Sequence, residues 1–163
     1  MTVTTYCLRR SSTGFTMVEL LVTIAIATIL TTVAIPSFSG LIASQRAKTA
    51  ASELFATLLK ARSDAIARNG NVTVSPLAGG WNLGGWQILD PTNAVLETHG
   101  AVANVTIAPT PVGSTVIYRP SGRVQTGSTT SFLITTTSGS TTNFQCISLN
   151  LSGRPYTTAA NAC

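Results

Sequence analysis

The chain has 163 residues, 44% of them hydrophobic and only 9% charged, with a formal net charge of +5. That length holds one domain with a real core and excludes a multidomain enzyme, while so little charge, against about 25% in soluble globular proteins, argues against a cytosolic monomer. The ten Lys and Arg set against five Asp and Glu form no basic tail and no patch of nucleic-acid size.

Residues 1–14 carry Arg9 and Arg10, no acid, and end at Ser11-Ser12-Thr13-Gly14. From Met17 to Ile35 the chain is apolar except for Glu19 and four threonines. About 19 residues at 1.5 Å each make roughly 28 Å of helix, close to the hydrocarbon thickness of a bilayer. The basic pair ahead of this run, with no comparable cluster just behind it, places the N-terminus in the cytoplasm and the rest of the chain outside. A secretory signal carries its small-residue cleavage site after the apolar run; here Gly14 precedes it. A cut between Gly14 and Phe15 removes the basic leader and leaves the apolar helix at the new N-terminus. Glu19 inside that helix costs about 2.5–3.5 kcal/mol on insertion scales and is therefore a functional candidate. Its natural partner is an amine, the Phe15 amine of the same chain or of a neighbouring subunit. Pro36, lacking an amide hydrogen, is expected to kink the helix.

From Leu41 to about Asn69 the periodicity is helical. Ala47, Ala51, Leu54, Leu58, Ala61 and Ala65 form one stripe, and Phe55, Leu59 and Ile66 are expected to widen it. The pairs Lys60–Asp64 and Asp64–Arg68 have i,i+4 spacing, and Asn69-Gly70 suits a left-handed cap. Beyond it, strand-like runs recur at Val72–Ser75, Gly85–Leu89, Val102–Ile107, Thr115–Tyr118, Ser131–Thr136 and Phe144–Leu149, separated by Gly, Pro, Asn and Ser. An amphipathic helix needs an apolar surface to cover and a one-sided sheet supplies it. The reading is therefore α+β: a long hydrophobic N-terminal helix packed on a β-rich C-terminal head. The boundaries are a cleaved leader over 1–14, a transmembrane and assembly helix over 15–36, an amphipathic helix over 37–69 and the β-rich head over 70–163.

Catalysis has little footing. The single His99, with Asp90 and Glu97 nearby and many hydroxyls, allows a Ser, His, Asp set on paper, but these residues fit a polar loop after Asp90-Pro91 better. There is no phosphate-binding Gly-rich loop and no metal spacing, so no cofactor and no metal are expected. Trp81 and Trp86, flanking a Gly-rich turn, read as core anchors. With Cys7 near the start set aside, an oxidising compartment lets Cys146 and Cys163 pair.

The run Gly14-Phe15-Thr16-Met17-Val18-Glu19-Leu20, followed by apolar residues and Pro36, resembles the type III signal of type IV pilins and pseudopilins. Gly85-Trp86-Gln87-Ile88-Leu89-Asp90, Tyr118-Arg119-Pro120-Ser121-Gly122-Arg123, and Cys146-Ile147 through Gly153-Arg154 resemble the GspH/FimT group of minor pilins, over almost the whole mature chain. The resemblance implies cleavage after Gly14 by prepilin peptidase, methylation of the Phe15 amine and a docking role for Glu19. It also implies a C-terminal disulfide of the kind FimT and FimU pilins often carry, which Cys146 and Cys163 would form. It implies a protein inserted in the inner membrane as a single-pass subunit with a periplasmic head. The subunit is then incorporated into a type IV pilus, where it contributes to assembly and priming at the tip beside other major and minor pilins and the inner-membrane assembly platform. The alternatives are a DNA-binding minor pilin for uptake and a GspH-like pseudopilin of type II secretion. DNA-binding FimT proteins have Gly-Arg-x-Arg in the C-terminal loop, whereas this chain reads Gly153-Arg154-Pro155-Tyr156. Its candidate contacts to double-stranded DNA are Arg119, Arg123, Arg154 and Tyr156.

Overall fold

The computed structural model describes residues 14–163 except 84, 129 and 139–140, and leaves the side chains of 33–37, 83 and 141 undescribed. Arg9, Arg10 and the rest of the expected leader up to residue 13 lie outside the described residues. Two compact units follow one another along the chain, Met1–Ser37 and Phe38–Cys163.

A single helix, α1, runs from Met17 to Arg68 and is assigned continuously through Pro36. In the first unit it carries exposed apolar side chains: Met17, Val18, Leu20, Leu21, Ile24, Ile29 and Leu30, like Phe15 just ahead of the helix, are all more than half exposed. Among the described residues no helix is long and apolar enough to cross a membrane. The described side chains of the apolar segment stop at Thr32, so the expected span to Ile35 reaches beyond them.

In the second unit the same helix behaves differently. Ala47, Ala51, Leu54, Leu58, Ala61 and Ala65 are buried, as their spacing predicts, and Ala43 and Ala50 join them. Small residues along this stripe let a sheet approach the helix backbone closely. The stripe is narrower than expected. Phe55 is half-buried against the core, but Leu59 and Ile66 are exposed, because each lies about 100° around the helix from the buried residue before it. The helix ends as Asn69-Gly70 suggests. Asn69 takes φ +50°, its N–H donates to the Ile66 carbonyl at 3.3 Å, and the Gly70 N–H donates to the Ala65 carbonyl at 3.2 Å. These are the paired bonds of a Schellman cap.

The head holds two antiparallel four-stranded sheets. The first has the order β3-β2-β1-β5, from β1 (Val72–Pro76), β2 (Trp86–Leu89), β3 (Val95–His99) and β5 (Val116–Tyr118). The second has the order β4-β6-β7-β8, from β4 (Thr106–Thr110), β6 (Ser131–Ser138), β7 (Thr141–Leu149) and β8 (Pro155–Thr158). Val72, Val74, Trp86, Ile88, Val116 and Tyr118 from the first sheet, and Phe132, Ile134 and Ile147 from the second, meet the helix stripe in one buried cluster. The β6–β7 hairpin is clipped to the helix where the buried Thr136 hydroxyl donates to the Ala43 carbonyl at 3.1 Å. A short helix α2 (Gly80–Leu83) places the buried Trp81 edge-on to Phe132, and its indole N–H donates to the Ser114 carbonyl.

Three elements differ from the sequence reading. The run expected at Val102–Ile107 begins its strand only at Thr106, since a turn closes from Val102 to Val105 with Asn104 at φ +61°. The residues after Asp90-Pro91 are not a polar loop but a hairpin returning as β3, paired Trp86 to His99 and Ile88 to Glu97. β8 is a further edge strand, formed where Pro155–Thr158 pair with β7.

Candidate functional site

Gly14, Phe15 and Thr16 form a non-helical stub immediately before α1, and Gly14 and Phe15 are exposed. Thr16 is the N-cap: its carbonyl accepts from the Leu20 N–H at 3.1 Å and its hydroxyl from the Glu19 N–H at 3.2 Å. Glu19 thus occupies the third helical position of a Thr-x-x-Glu pattern, where a carboxylate is favoured by the helix dipole. The threonines that interrupt the apolar segment satisfy themselves. The Thr23, Thr28, Thr31 and Thr32 hydroxyls donate to backbone carbonyls three or four residues back. Each hydroxyl proton is thereby satisfied within the helix and would carry no unmet donor into an apolar environment.

In the head, a polar network that no local motif signals joins the helix to the β2–β3 hairpin. The buried Thr57 donates its hydroxyl proton to the Glu53 carbonyl at 2.9 Å and accepts from the Trp86 indole N–H at 3.0 Å. With that proton spent, Nε2 of His99, 3.3 Å away, meets the oxygen as a donor. The same Nε2 lies 3.0 Å from Glu97 Oε1, and the imidazole stacks on Trp86 with ring centroids 5.4 Å apart. Lys60 pairs with Glu97, not with Asp64 as the helical spacing suggests. Their hydrogen bond holds the Glu97 carboxyl below its ordinary range and the Lys60 ammonium above its own. Asp90 belongs to a turn. Its Oδ1 accepts from the Thr92 hydroxyl and from the Thr92 and Ala94 N–H groups, the Thr92 hydroxyl contributing most to a lowered pKa. Each carboxylate therefore serves a hairpin, and His99 joins Thr57, Glu97 and Trp86, while Asp90 holds its own turn. No cluster of His, Cys, Asp or Glu able to hold a metal occurs among the described residues.

Cys146 and Cys163 are joined in a disulfide with Cα atoms 5.6 Å apart, which ties the C-terminus to β7. Arg119 and Arg123 sit in one turn, closed by the Arg119 N–H to the Arg123 carbonyl at 2.9 Å and the Gly122 N–H to the Arg119 carbonyl at 2.8 Å. Arg154 sits in a second turn, where its N–H donates to Asn150 Oδ1. The two turns touch. A Cβ on Gly153, whose φ is +78°, would lie 2.2 Å from the Gly122 carbonyl oxygen, so only glycine fits there. Arg62 Nε donates to that same carbonyl at 2.9 Å and anchors the pair of turns to the last turns of α1. All three arginines are exposed, and Tyr156 on β8 is half exposed. Below the turns Tyr118 is buried, its hydroxyl unpartnered among the described residues, and burial pushes its pKa up.

An apolar helix opening on a capped, exposed Gly-Phe stub, continuous with the spine of an antiparallel head, is the architecture of a pilin-type subunit. Residues 9–35 match the prokaryotic N-terminal methylation motif, and residues 50–153 match the family described as type II transport protein GspH. The chain belongs to the GspH family and is a minor pilin of the type IV pilus and type II pseudopilin class. Two crystal structures of the type IV minor pilin FimU of Pseudomonas aeruginosa PAO1 have this fold. One is 21% identical, covering 71% of this chain and 98% of that one with a TM-score of 0.56; the other is 20% identical, covering 71% and 93% with a TM-score of 0.57. No curated protein matches.

Proposed function

We propose that the chain is a minor subunit of a type IV pilus whose work is assembly rather than catalysis. Prepilin peptidase cuts between Gly14 and Phe15, the Phe15 amine is methylated, and the apolar half of α1 holds the subunit in the inner membrane with its head in the periplasm. The subunit then passes through the assembly platform into the filament, at or near the tip, among major and minor pilins. The observation that carries this reading is the Gly14-Phe15 stub, exposed directly ahead of the Thr16 cap and of a helix whose described apolar side chains up to Leu30 are exposed. Glu19, one turn into that helix, meets the methylated amine of a neighbouring subunit and sets the axial register of one helix against the next.

The family description favours one second reading, a pseudopilin of type II secretion. Deleting the gene and complementing it with a tagged copy separates the two. The pilus reading expects the tagged chain in sheared surface fibres, fewer fibres in the deletion strain and normal protein secretion. Normal piliation with lost secretion assigns the chain to the secretion apparatus.

A further inference from the structure

From Thr98 to Cys163 the sequence contains three charged side chains, all arginines, and the fold brings all three to one end of the head. Arg119, Ser121, Arg123, Val124, Thr126 and Leu151 line a cavity of about 270 Å³. Val124, Thr126 and Leu151 also border a second cavity of about 210 Å³, where Leu149 adds a further aliphatic side chain among Gln125, Ser128, Thr130 and Asn150. Sharing Val124, Thr126 and Leu151, the two form one groove with Arg119 and Arg123 at one end; Arg154 follows Gly153, which touches Gly122 in the Arg119–Arg123 turn. Leu151 between them is 84% exposed. No ion pair to Arg119, Arg123 or Arg154 occurs among the described residues. The five acids lie elsewhere: Glu19, Glu53 and Asp64 on α1, Asp90 in its turn and Glu97 with Lys60.

We propose that this groove is a docking surface for an acidic segment of another protein subunit, one that presents a carboxylate beside an apolar side chain. The guanidinium groups of Arg119 and Arg123 receive the carboxylate, a geometry arginine matches with paired N–H donors, and the neighbouring cavity beside Leu151 receives the apolar side chain. Charge complementarity selects the partner, because nothing in this half of the chain offsets the arginines. Duplex DNA is the poorer fit. Its affinity depends on the number of phosphates neutralised, and three arginines supply few. The inference rests on the pilin reading and gives the chemistry of one subunit contact within it.

The test uses the full chain in piliated cells, with a photo-crosslinking benzoylphenylalanine introduced at position 151 in place of Leu151. The expected result is an adduct to another pilus subunit through a peptide of net negative charge. That adduct should fall by about tenfold or more when Arg119→Glu and Arg123→Glu are added. Arg119→Gln with Arg123→Gln provides a milder pair, and an intact Cys146–Cys163 disulfide reports that either variant is folded. An adduct to nucleic acid, to a second copy of the chain or to a neutral or basic peptide overturns the proposal, as does no adduct or one indifferent to the arginine changes. Sheared fibres from the same cells separate the two levels. A chain present in fibres without the adduct refutes the groove alone, whereas a chain absent from fibres refutes the pilin reading and the groove with it.

Discussion

The two halves of α1 are made of similar material and put to opposite use. Between Met17 and Leu30 large apolar side chains stand more than half exposed, while between Ala47 and Ala65 a stripe of Ala and Leu is buried within the head. The second half completes its hydrophobic burial when the chain folds. The described side chains of the first half stay exposed, which on the proposed reading leaves their burial to assembly, and its threonines already carry their own hydrogen bonds. The proposed function thus divides stability and assembly along one helix, and a substitution in one half should leave the other half's readout untouched.

The largest effect on the head is expected from its stripe. Leu58→Ala should destabilise the head by about 2–5 kcal/mol, the usual cost of emptying a fully buried leucine site, whereas Leu21→Ala should leave head unfolding unchanged; denaturant titration of the detergent-solubilised chain compares them. A comparable loss from Leu21→Ala would end the division.

Next comes the disulfide. It bridges a sequence separation of 17, worth about 3 kcal/mol in the chain-entropy model, so Cys163→Ser should lower head stability by that order and expose the C-terminal tail to protease. Mass spectrometry without reductant should find no free thiol at Cys146 or Cys163 in periplasmic protein.

A smaller loss follows from Thr57→Val, which keeps the shape but strips the buried Trp86 indole of its acceptor, at about 1–3 kcal/mol. Trp86→Phe, which removes the donor as well, should offset part of the cost of the valine when the two are combined.

Acid should act more gently, and locally. Glu97 and Asp90 have folded pKa values below their ordinary 4.5 and 3.8, so their contribution is complete above about pH 4.5 and is lost as pH falls through the lowered values. Amide exchange should therefore rise in the β2–β3 hairpin below pH 4.5 before it rises in β6 and β7.

Much of this division is legible in the sequence because it is written in periodicity. The stripe from Ala47 to Ala65, the cap at Asn69-Gly70 and the inverted order of Gly14 and the apolar run are local patterns, and each stands in the structure where its spacing puts it. The parts that are not legible are contacts between distant residues. β3 carries Glu97, Thr98 and His99, which do not alternate apolar with polar, and it becomes a strand only because β2 offers it an edge. Lys60 turns from Asp64 to Glu97, a residue 37 positions away, once that edge strand arrives beside the helix. Thr57 reads as an ordinary helix residue until Trp86 and His99, 29 and 42 positions on, converge on its hydroxyl. The three arginines form a set only through the contact of Gly122 with Gly153.

Glu19→Ala should have no effect on head stability, since Glu19 is exposed and belongs to the first unit. Its effect should fall on incorporation: insertion stays intact and the variant is depleted from sheared fibres. Wild-type levels in fibres would remove its docking role.

The central claim, that the first half of α1 is processed for burial outside its own chain, is tested most directly by the N-terminal peptide of the chain recovered from sheared fibres. The expected result is a mature N-terminus at Phe15 bearing one methyl group on its amine. A chain in the fibres that begins at Met1, or at a cut beyond Ile35, would contradict it.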